Sequence, residues 1–283
     1  MKWEGNRESD NIEDRRGGFG IGGRSIGIGT VVVALVVSYF FGIDPGTVLS
    51  LLGGGGGPAP VTQQAGPPAQ DPETRFVATV LADTEDTWSA LFRANGASYV
   101  DPRLVLFSGS TPTACGTGDT ATGPFYCPGD QKVYLDLDFF RLMRQRFQVS
   151  GDFAQAYVIA HEVGHHVQNL MGIMQKIDTV RRRAAPAQAN ALSVRLELQA
   201  DCFAGVWAYH ANQARSILES GDVEQALDAA SKIGDDALQK QAQGYVVPDS
   251  FTHGTSAQRV RWFRRGIDSG QIAACDTFEA RQL

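Results

Sequence analysis

Residues 25–43 most restrict how this chain can fold, because these nineteen residues contain no charged side chain. A helix rises about 1.5 Å per residue, so the run would extend roughly 28 Å, close to the hydrocarbon thickness of a bilayer. Buried helices of globular domains rarely continue so far without a charge. The run therefore predicts one N-terminal transmembrane helix, and makes a lipid bilayer the expected partner of residues 25–43.

Charges on either side of this run predict its orientation. Arg15, Arg16 and Arg24 precede it, whereas Asp44 follows it. Because positive residues stay inside, we expect residues 1–24 to form a cytoplasmic tail and the rest of the chain to lie outside the inner (cytoplasmic) membrane, in the periplasm or an equivalent space. A cleaved signal peptide is the alternative. The long leader of mixed charge, without a small-residue cleavage site close after the run, favours an uncleaved single-pass anchor.

Composition divides the remainder of the chain into two parts. Residues 44–72 are rich in Gly, Pro and Gln and have few large apolar side chains, which predicts a flexible tether. Residues 73–283 are long enough to bury a core and are expected to form the folded domain. The formal net charge of the chain is −6. This acidic balance disfavours a nucleic-acid partner, while the oligomeric state stays open.

All four cysteines follow the predicted anchor. An even number of cysteines in an exported domain predicts two disulfides. The most economical pairing joins Cys115 to Cys127 across a glycine-rich loop, and Cys202 to Cys275 between a helix and the C-terminal tail. The two other pairings stay open. A zinc–thiolate cluster is a weaker alternative because the chain has no C-x2-C pair.

Apolar residues follow a helical period over residues 76–94 and over most of the chain after residue 138. Two short strands are predicted at 103–107 and 132–137. Asp152 is the expected N-cap of one helix, and Gly172 marks its end. The pattern predicts a mainly α domain with a small β element, in the α+β class. The further predicted helices are 139–148, 152–171, 173–184, 187–218, 222–230, 235–243 and 256–267.

The helix predicted at 152–171 contains the motif HEVGH. Residues four apart share one helix face, so His161 and His165 can place two imidazole nitrogens on one metal ion. Glu162 lies beside them, where it can take a proton from a metal-bound water that attacks a carbonyl. The motif therefore predicts a zinc-dependent hydrolase with Glu162 as its general base.

A catalytic zinc ion normally has three protein ligands and a water molecule. No histidine follows His165 at the metzincin spacing, so a later segment must supply the third ligand. We predict Glu197 as that ligand, for one zinc ion per chain, and Asp201 as the acceptor of a hydrogen bond from a ligand histidine. The exchanged assignment stays open. Both carboxylates lie in a strongly apolar helix, where an unpaired surface carboxylate would be costly.

Peptide hydrolysis also needs a donor for the developing oxyanion. His253, in a loop before a helix, is the predicted catalytic donor, and Tyr209 and His210 are alternatives. Arg259 is expected either to contact substrate or, more simply, to form a structural ion pair. The strand at 132–137 would bind an extended peptide by strand addition if it lay at a sheet edge.

Long stretches of the chain resemble a known family. The pattern HExxH followed by ExxxD resembles the gluzincin metallopeptidases, and the whole chain apart from the tether is similar to the bacterial neutral zinc metallopeptidases of the YpfJ-like family. This resemblance implies a zincin-like active-site helix, a zinc ion and a peptide or protein substrate. The segments that carry it are WEGNRESDNIEDRR, GPFYCPGDQKVYLDL, GDFAQAYVIAHEVGHHVQ, SVRLELQADCFAGVWA and VVPDSFTHGTSAQRVRWF.

Two other functions are compatible with these residues. A non-catalytic zinc-containing module for binding or quality control in the periplasm would close its site with a fourth ligand, for which His166 and His210 are candidates. Against this, His166 should point about 100° away from His165, as a packing residue. A non-peptide zinc hydrolase would keep the same site and change only the substrate.

Overall fold

The computed structural model describes residues 1–16, 70–120, 123–146, 148–149 and 151–283. The predicted anchor at 25–43 and nearly all of the predicted tether lie outside these residues. Within the described parts of the chain, no helix combines the length and the apolar character that a bilayer crossing requires.

Helices dominate the described residues. They are α1 (Pro72–Ala94), α2 (Asp138–Arg146), α3 (Asp152–Leu170), α4 (Ile173–Arg181), α5 (Pro186–Arg215), α6 (Asp222–Lys232), α7 (Asp235–Gln243) and α8 (Ser256–Ser269). Each predicted helix has a counterpart whose ends differ by a few residues. The mainly α domain with a small β element is therefore confirmed.

The N-terminus of α1 has a side-chain cap, whereas the N-cap of α3 is not the residue that was predicted. The Asp71 carboxylate accepts the backbone N–H of Thr74 at 2.9 Å and so caps α1. At α3 the N-cap is Gly151, with φ 106°, and Asp152 is the first helical residue. The Asp152 carboxylate instead accepts the indole N–H of Trp3 at 3.0 Å, so the predicted cap at Asp152 is wrong.

Among the described residues, the main sheet has four strands in the order β1 (Ile12–Asp14), β2 (Arg103–Phe107), β6 (Lys132–Asp136) and β5 (Phe125–Cys127). The first three are parallel, and β5 is antiparallel to β6. A separate hairpin pairs β3 (Ser110–Thr113) with β4 (Gly116–Asp119). Because β6 lies between two neighbours, the suggestion that this strand binds a peptide at a sheet edge is wrong.

Residues 1–14 belong to the same compact unit as the described residues from 70 onward. Ile12 pairs with Leu104 in the parallel register of β1 and β2. The Glu13 carboxylate accepts the Lys132 ammonium at 2.6 Å. The predicted boundary at residue 73 therefore omits one strand, and these described residues are not a separate solvated tail. The sequence signal is weak because a strand of three residues carries little periodicity.

Helix α3 lies at the centre of the described fold, in contact with α1, α5, α6 and the strands β5 and β6. This position explains why its sequence is apolar around the HEVGH motif: most of the helix is buried on every side. Large aromatic side chains fill the surrounding core, including Trp88, Tyr157, Phe203 and Trp207. A core-buried helix holds its polar side chains in fixed directions.

Helices α5 and α8 approach each other closely at two glycines. A Cβ atom on Gly205 would lie 2.2 Å from the Phe263 carbonyl oxygen, and one on Gly266 would lie 2.0 Å from the Cys202 carbonyl oxygen. Only residues without a side chain permit this contact. The Cys202–Cys275 disulfide joins α5 to the segment after α8, and both favoured disulfide pairings are confirmed.

Candidate metal centre

Three side chains from two helices converge on one point. Helix α3 presents His161 and His165, and α5 presents Glu197. Their potential ligand atoms all lie within 4.8 Å of one another. The Glu197 Oε2 atom is 3.1 Å from His161 Nε2 and 3.5 Å from His165 Nε2. Two ligands of a tetrahedral zinc ion lie about 3.3 Å apart, because each is about 2.0–2.1 Å from the metal. Two imidazoles and a carboxylate in this spacing fit a zinc ion.

Each histidine is oriented through its other ring nitrogen. His161 Nδ1 is 2.8 Å from Asp201 Oδ1, and His165 Nδ1 is 2.9 Å from Gln168 Oε1. When Nδ1–H donates these bonds, Nε2 of each ring carries the lone pair that faces Glu197. The exchanged assignment of the two carboxylates is therefore not favoured: Glu197 faces both Nε2 atoms, whereas Asp201 lies behind one ring. Gln168 was not among the candidates, although its place three residues after His165 on one helix face could have indicated it.

Asp201 is fully buried and surrounded by donors. Arg259 donates to both of its oxygens at 2.9 Å, and the Tyr157 hydroxyl donates to Oδ1 at 2.6 Å. Burial alone would raise the pKa of Asp201, but Arg259 and His161 outweigh it and lower the pKa to about 2. The carboxylate is therefore ionised and held in one orientation behind His161.

The charges within the three-residue group reinforce one another. Burial alone would lower the pKa of His161, but Asp201 and Glu197 raise it to about 10. Burial likewise opposes ionisation of Glu197, and His165 and His161 together lower its pKa well below the ordinary value. The two carboxylates thus create a negative environment around the converging nitrogens, which favours any cation that binds there.

Glu162, the predicted general base, follows His161 on α3 and is buried, at 7% exposure. Its negative charge contributes to the raised pKa of His165, after the opposing effect of burial and the larger effect of Glu197. The carboxylate is therefore electrostatically close to the metal-binding group without belonging to it.

His253 lies in the loop between α7 and α8, held by a carboxylate that sequence reasoning missed. Asp235 Oδ2 accepts the backbone N–H groups of Thr252, His253 and Gly254 at 2.7, 2.6 and 3.0 Å. Its other oxygen is 3.3 Å from His253 Nδ1. The pKa of His253 is raised, chiefly by its hydrogen bond to Asp235 and also by the negative charge of Glu197.

The same loop packs against α5 next to the metal-binding group. Gly254 has φ +91°, and a Cβ atom there would lie 3.1 Å from Val194 and 3.4 Å from Leu198. These two residues flank Glu197 on α5. The His253 side chain remains 51% exposed. The fold therefore brings a half-exposed imidazole, held at Nδ1, to the neighbourhood of Glu197.

A family model described as "Putative neutral zinc metallopeptidase" matches residues 1–278. The chain belongs to this family. It is 50% identical to "Uncharacterized protein YpfJ" of Escherichia coli (strain K12), over 98% of this chain and 99% of that protein. It is 41% identical to "Uncharacterized protein Rv2575" of Mycobacterium tuberculosis (strain ATCC 25618 / H37Rv), over 74% of this chain and 73% of that protein. No solved structure matches the chain.

Membership confirms the resemblance seen in the sequence and supports a zinc-dependent peptidase in general terms. Two other histidines, His166 and His210, make their contacts away from the metal-binding group. His166 contacts the Val100 carbonyl at 2.6 Å and the Tyr126 hydroxyl at 3.0 Å, and His210 contacts the Gly270 carbonyl at 2.8 Å. Neither is placed to close the site as a fourth ligand. Arg259 was expected either to contact substrate or to form a structural ion pair, and it forms an ion pair with Asp201 at 2.9 Å.

Proposed function

We propose that this protein hydrolyses peptide bonds at a zinc ion held by His161, His165 and Glu197. The observation that carries this proposal is the convergence of two imidazole Nε2 atoms and one carboxylate oxygen on a single point. A zinc ion bound there supplies a Lewis acid that polarises a carbonyl and lowers the pKa of water. Membership in a zinc metallopeptidase family supports the same chemistry.

In this proposal Glu162 moves the protons. Its carboxylate accepts a proton from the attacking water and later gives it to the leaving amine. Its buried position on α3, directly after His161, supports this role, because a general base must lie close to the proton that it accepts. General acid–base catalysis contributes about 10²–10⁴-fold to the rate, so this residue should account for much of the activity.

His253 is proposed as the donor that stabilises the developing oxyanion. Its Nδ1 atom is held by Asp235, which leaves Nε2–H free to donate to a substrate. The raised pKa favours the protonated imidazole, and a cationic donor gives a stronger hydrogen bond than a neutral one. The half-exposed position beside Glu197 supports access to a bound peptide.

We also propose that the metallopeptidase domain lies outside the cytoplasm. The two disulfides support this compartment, because such bonds persist in oxidising environments and are rare in the cytosol.

The test compares the full-length protein in detergent with Glu162→Gln, using fluorescein-labelled casein as the substrate. Glu224→Gln is the matched control, because Glu224 is exposed on α6. We expect about one zinc ion per chain in all three proteins, and a loss of at least about 10²-fold in cleavage for Glu162→Gln alone. Undiminished cleavage by Glu162→Gln would refute its role as base. Zinc-loaded parent protein that cleaves no peptide would refute the peptidase proposal.

A further inference from the structure

Arg259 is a buried cation that the proposed reaction does not use. It is 3% exposed and lies on α8. Its Nε and Nη2 atoms donate to the two oxygens of Asp201, Nη2 also donates to the Tyr157 hydroxyl at 3.2 Å, and Nη1 donates to the Ile233 carbonyl at 3.3 Å. This fork holds the plane of the Asp201 carboxylate, and Nη2 shares Oδ1 with His161 Nδ1, from which it lies 3.5 Å away.

The helix that carries Arg259 is itself fixed to α5. The close glycine crossing leaves no space for α8 to slide, and the Cys202–Cys275 disulfide ties the segment after α8 to the residue next to Asp201. The direction of the guanidinium is therefore set by the packing of two helices rather than by a flexible loop.

We propose that Arg259 is a positioning residue of the metal centre, acting through Asp201 to fix the tautomer and direction of His161. Without the Arg259 guanidinium, the buried Asp201 carboxylate loses its compensating charge and two of its hydrogen bonds. The plane of the carboxylate is then no longer fixed. The Nε2 lone pair of His161 is then no longer held in one direction toward the proposed zinc site. The inference rests on the proposed zinc site but not on peptidase activity.

Replacement of an outer hydrogen-bond partner typically weakens metal binding about 10–100-fold. We expect Arg259→Met to weaken zinc binding by that factor. Arg259→Lys keeps the charge but cannot donate to both oxygens with a planar fork, so it should cause a smaller loss, of about 3–10-fold. In the cobalt-loaded protein, both variants should change the visible absorption bands, which report ligand geometry.

The matched control is Arg215→Met. Arg215 also forms an ion pair between α5 and a buried aspartate, with Nε 2.7 Å from Asp83. It lies fourteen residues after Asp201 on α5, about 21 Å along the helix. It therefore controls for the general cost of losing a partly buried arginine–aspartate pair. We expect its zinc affinity and cobalt spectrum to match those of the parent.

The experiment measures zinc affinity of full-length protein in competition with a chromophoric chelator, in a double-mutant cycle with Asp201→Asn. If Arg259 acts through Asp201, Arg259→Met should weaken zinc binding far less in the Asp201→Asn background. An equal loss in both backgrounds, or parental affinity and cobalt spectrum for Arg259→Met, overturns the proposal. If Arg259→Met does not fold, Arg259→Lys decides, and its unchanged affinity and spectrum overturn the proposal. Zinc binding without cleavage would contradict the peptidase proposal alone.

A second inference rests on β1, independently of the metal centre. The backbone N–H of Leu104 donates to the Asn11 carbonyl at 2.9 Å, which continues the pairing of β1 with β2. The Ser9 hydroxyl and the Asn11 amide both donate to the Glu85 carboxylate, at 2.5 and 2.9 Å. Arg7 forms an ion pair with the same carboxylate at 2.9 Å. The N-terminal residues are thus bonded to the sheet and to α1.

We infer that residues 1–14 lie in the same compartment as the metallopeptidase domain. Neighbouring strands are separated by about 5 Å, whereas a bilayer core is about 30 Å thick, so one crossing by residues 25–43 would separate β1 from β2. The inference therefore differs from the expectation that residues 1–24 form a cytoplasmic tail beneath an external domain.

Variants of the full-length protein that each carry one added cysteine, beside the four native cysteines paired in disulfides, test this inference in intact cells. Glu4→Cys reports on the N-terminal residues and Glu224→Cys on the domain, since both glutamates are exposed. The cells are labelled with a membrane-impermeant maleimide before and after lysis. We expect both cysteines to react in intact cells, or both only after lysis. Labelling of one cysteine in intact cells and of the other only after lysis overturns the inference.

Discussion

The glycine crossing between α5 and α8 gives the sharpest test of how these two helices pack. In Gly266→Ala, the new Cβ would lie 2.0 Å from the Cys202 carbonyl oxygen and 2.9 Å from the Val206 nitrogen. A carbon and a carbonyl oxygen normally stay about 3.3 Å apart, so the helices must separate by about 1.3 Å. Both obstructing atoms belong to backbone and cannot rotate away.

Two effects of opposite sign decide the stability of this variant. Alanine is favoured over glycine inside a helix by about 0.5–1 kcal/mol. Forcing extra volume into a closely packed contact costs about 1–3 kcal/mol, and the severe overlap here favours the upper end. The net loss should be about 1–2 kcal/mol. For a domain of this size each kcal/mol lowers Tm by about 2–4 °C, so Tm should fall by about 2–8 °C.

Thermal unfolding followed by circular dichroism, with the disulfides intact, measures this change. Arg264→Ala, at an exposed position of α8, is the control and should change stability by less than about 0.5 kcal/mol. Gly205→Ala meets the same crossing from α5, so in the double variant the second alanine should cost less than it does alone. A stabilised Gly266→Ala, or strict additivity of the two alanines, would refute the close-contact reasoning.

Three further outcomes are expected. Loss of the Cys202–Cys275 disulfide, which closes a loop of 73 residues, should lower the free energy of unfolding by about 4.4 kcal/mol. Loss of Cys115–Cys127, which closes 12 residues, should lower it by about 2.8 kcal/mol. Urea unfolding of variants with each cysteine pair replaced by serines measures both changes. Chelation of zinc should lower the unfolding free energy by about 4 kcal/mol if free zinc had been at about 1,000 times Kd, which calorimetry can measure. Asp235 has a lowered pKa, so its contribution to stability is present above its ordinary pKa and lost as pH falls through the folded value. His253 has a raised pKa, so its contribution is lost as pH rises through the folded value. Asp235→Asn should therefore lower Tm more near about pH 5.5 than near about pH 9.

The metal-binding group could be predicted because its geometry is local. His161 and His165 are four residues apart on one helix, and that spacing alone places them on one face. Glu197 could be inferred because a carboxylate in an apolar helix needs a buried partner. The sequence could not distinguish Glu197 from Asp201 by spacing, since the two also share a face, and only the packing of α5 against α3 shows which one meets both Nε2 atoms.

The residues that hold this group in place were harder to predict, because their contacts join distant parts of the chain. Arg259 lies 58 residues from Asp201, and no periodic pattern relates them. Asp235 lies 18 residues before His253 and accepts hydrogen bonds mainly from backbone N–H groups. Nearly every residue has a backbone N–H group, so the sequence does not show which ones Asp235 contacts. The strand β1 was missed for the same reason: its partner β2 lies beyond the predicted tether. Hydrophobic periodicity indicates local secondary structure, so it carries no information about contacts between residues far apart in the chain.

Helix α5 combines three tasks within nine residues. Glu197 belongs to the candidate metal centre and Asp201 contacts His161, Cys202 forms the disulfide, and Gly205 allows the close approach of α8. A shift of α5 by one residue would rotate every one of these positions by about 100°, so all the contacts would be lost together. The close packing against α8 and the disulfide to the segment after it therefore oppose the same displacement that would break the hydrogen bond from His161 to Asp201. Loss of either contact should reach the metal centre through α5, even though neither touches a ligand.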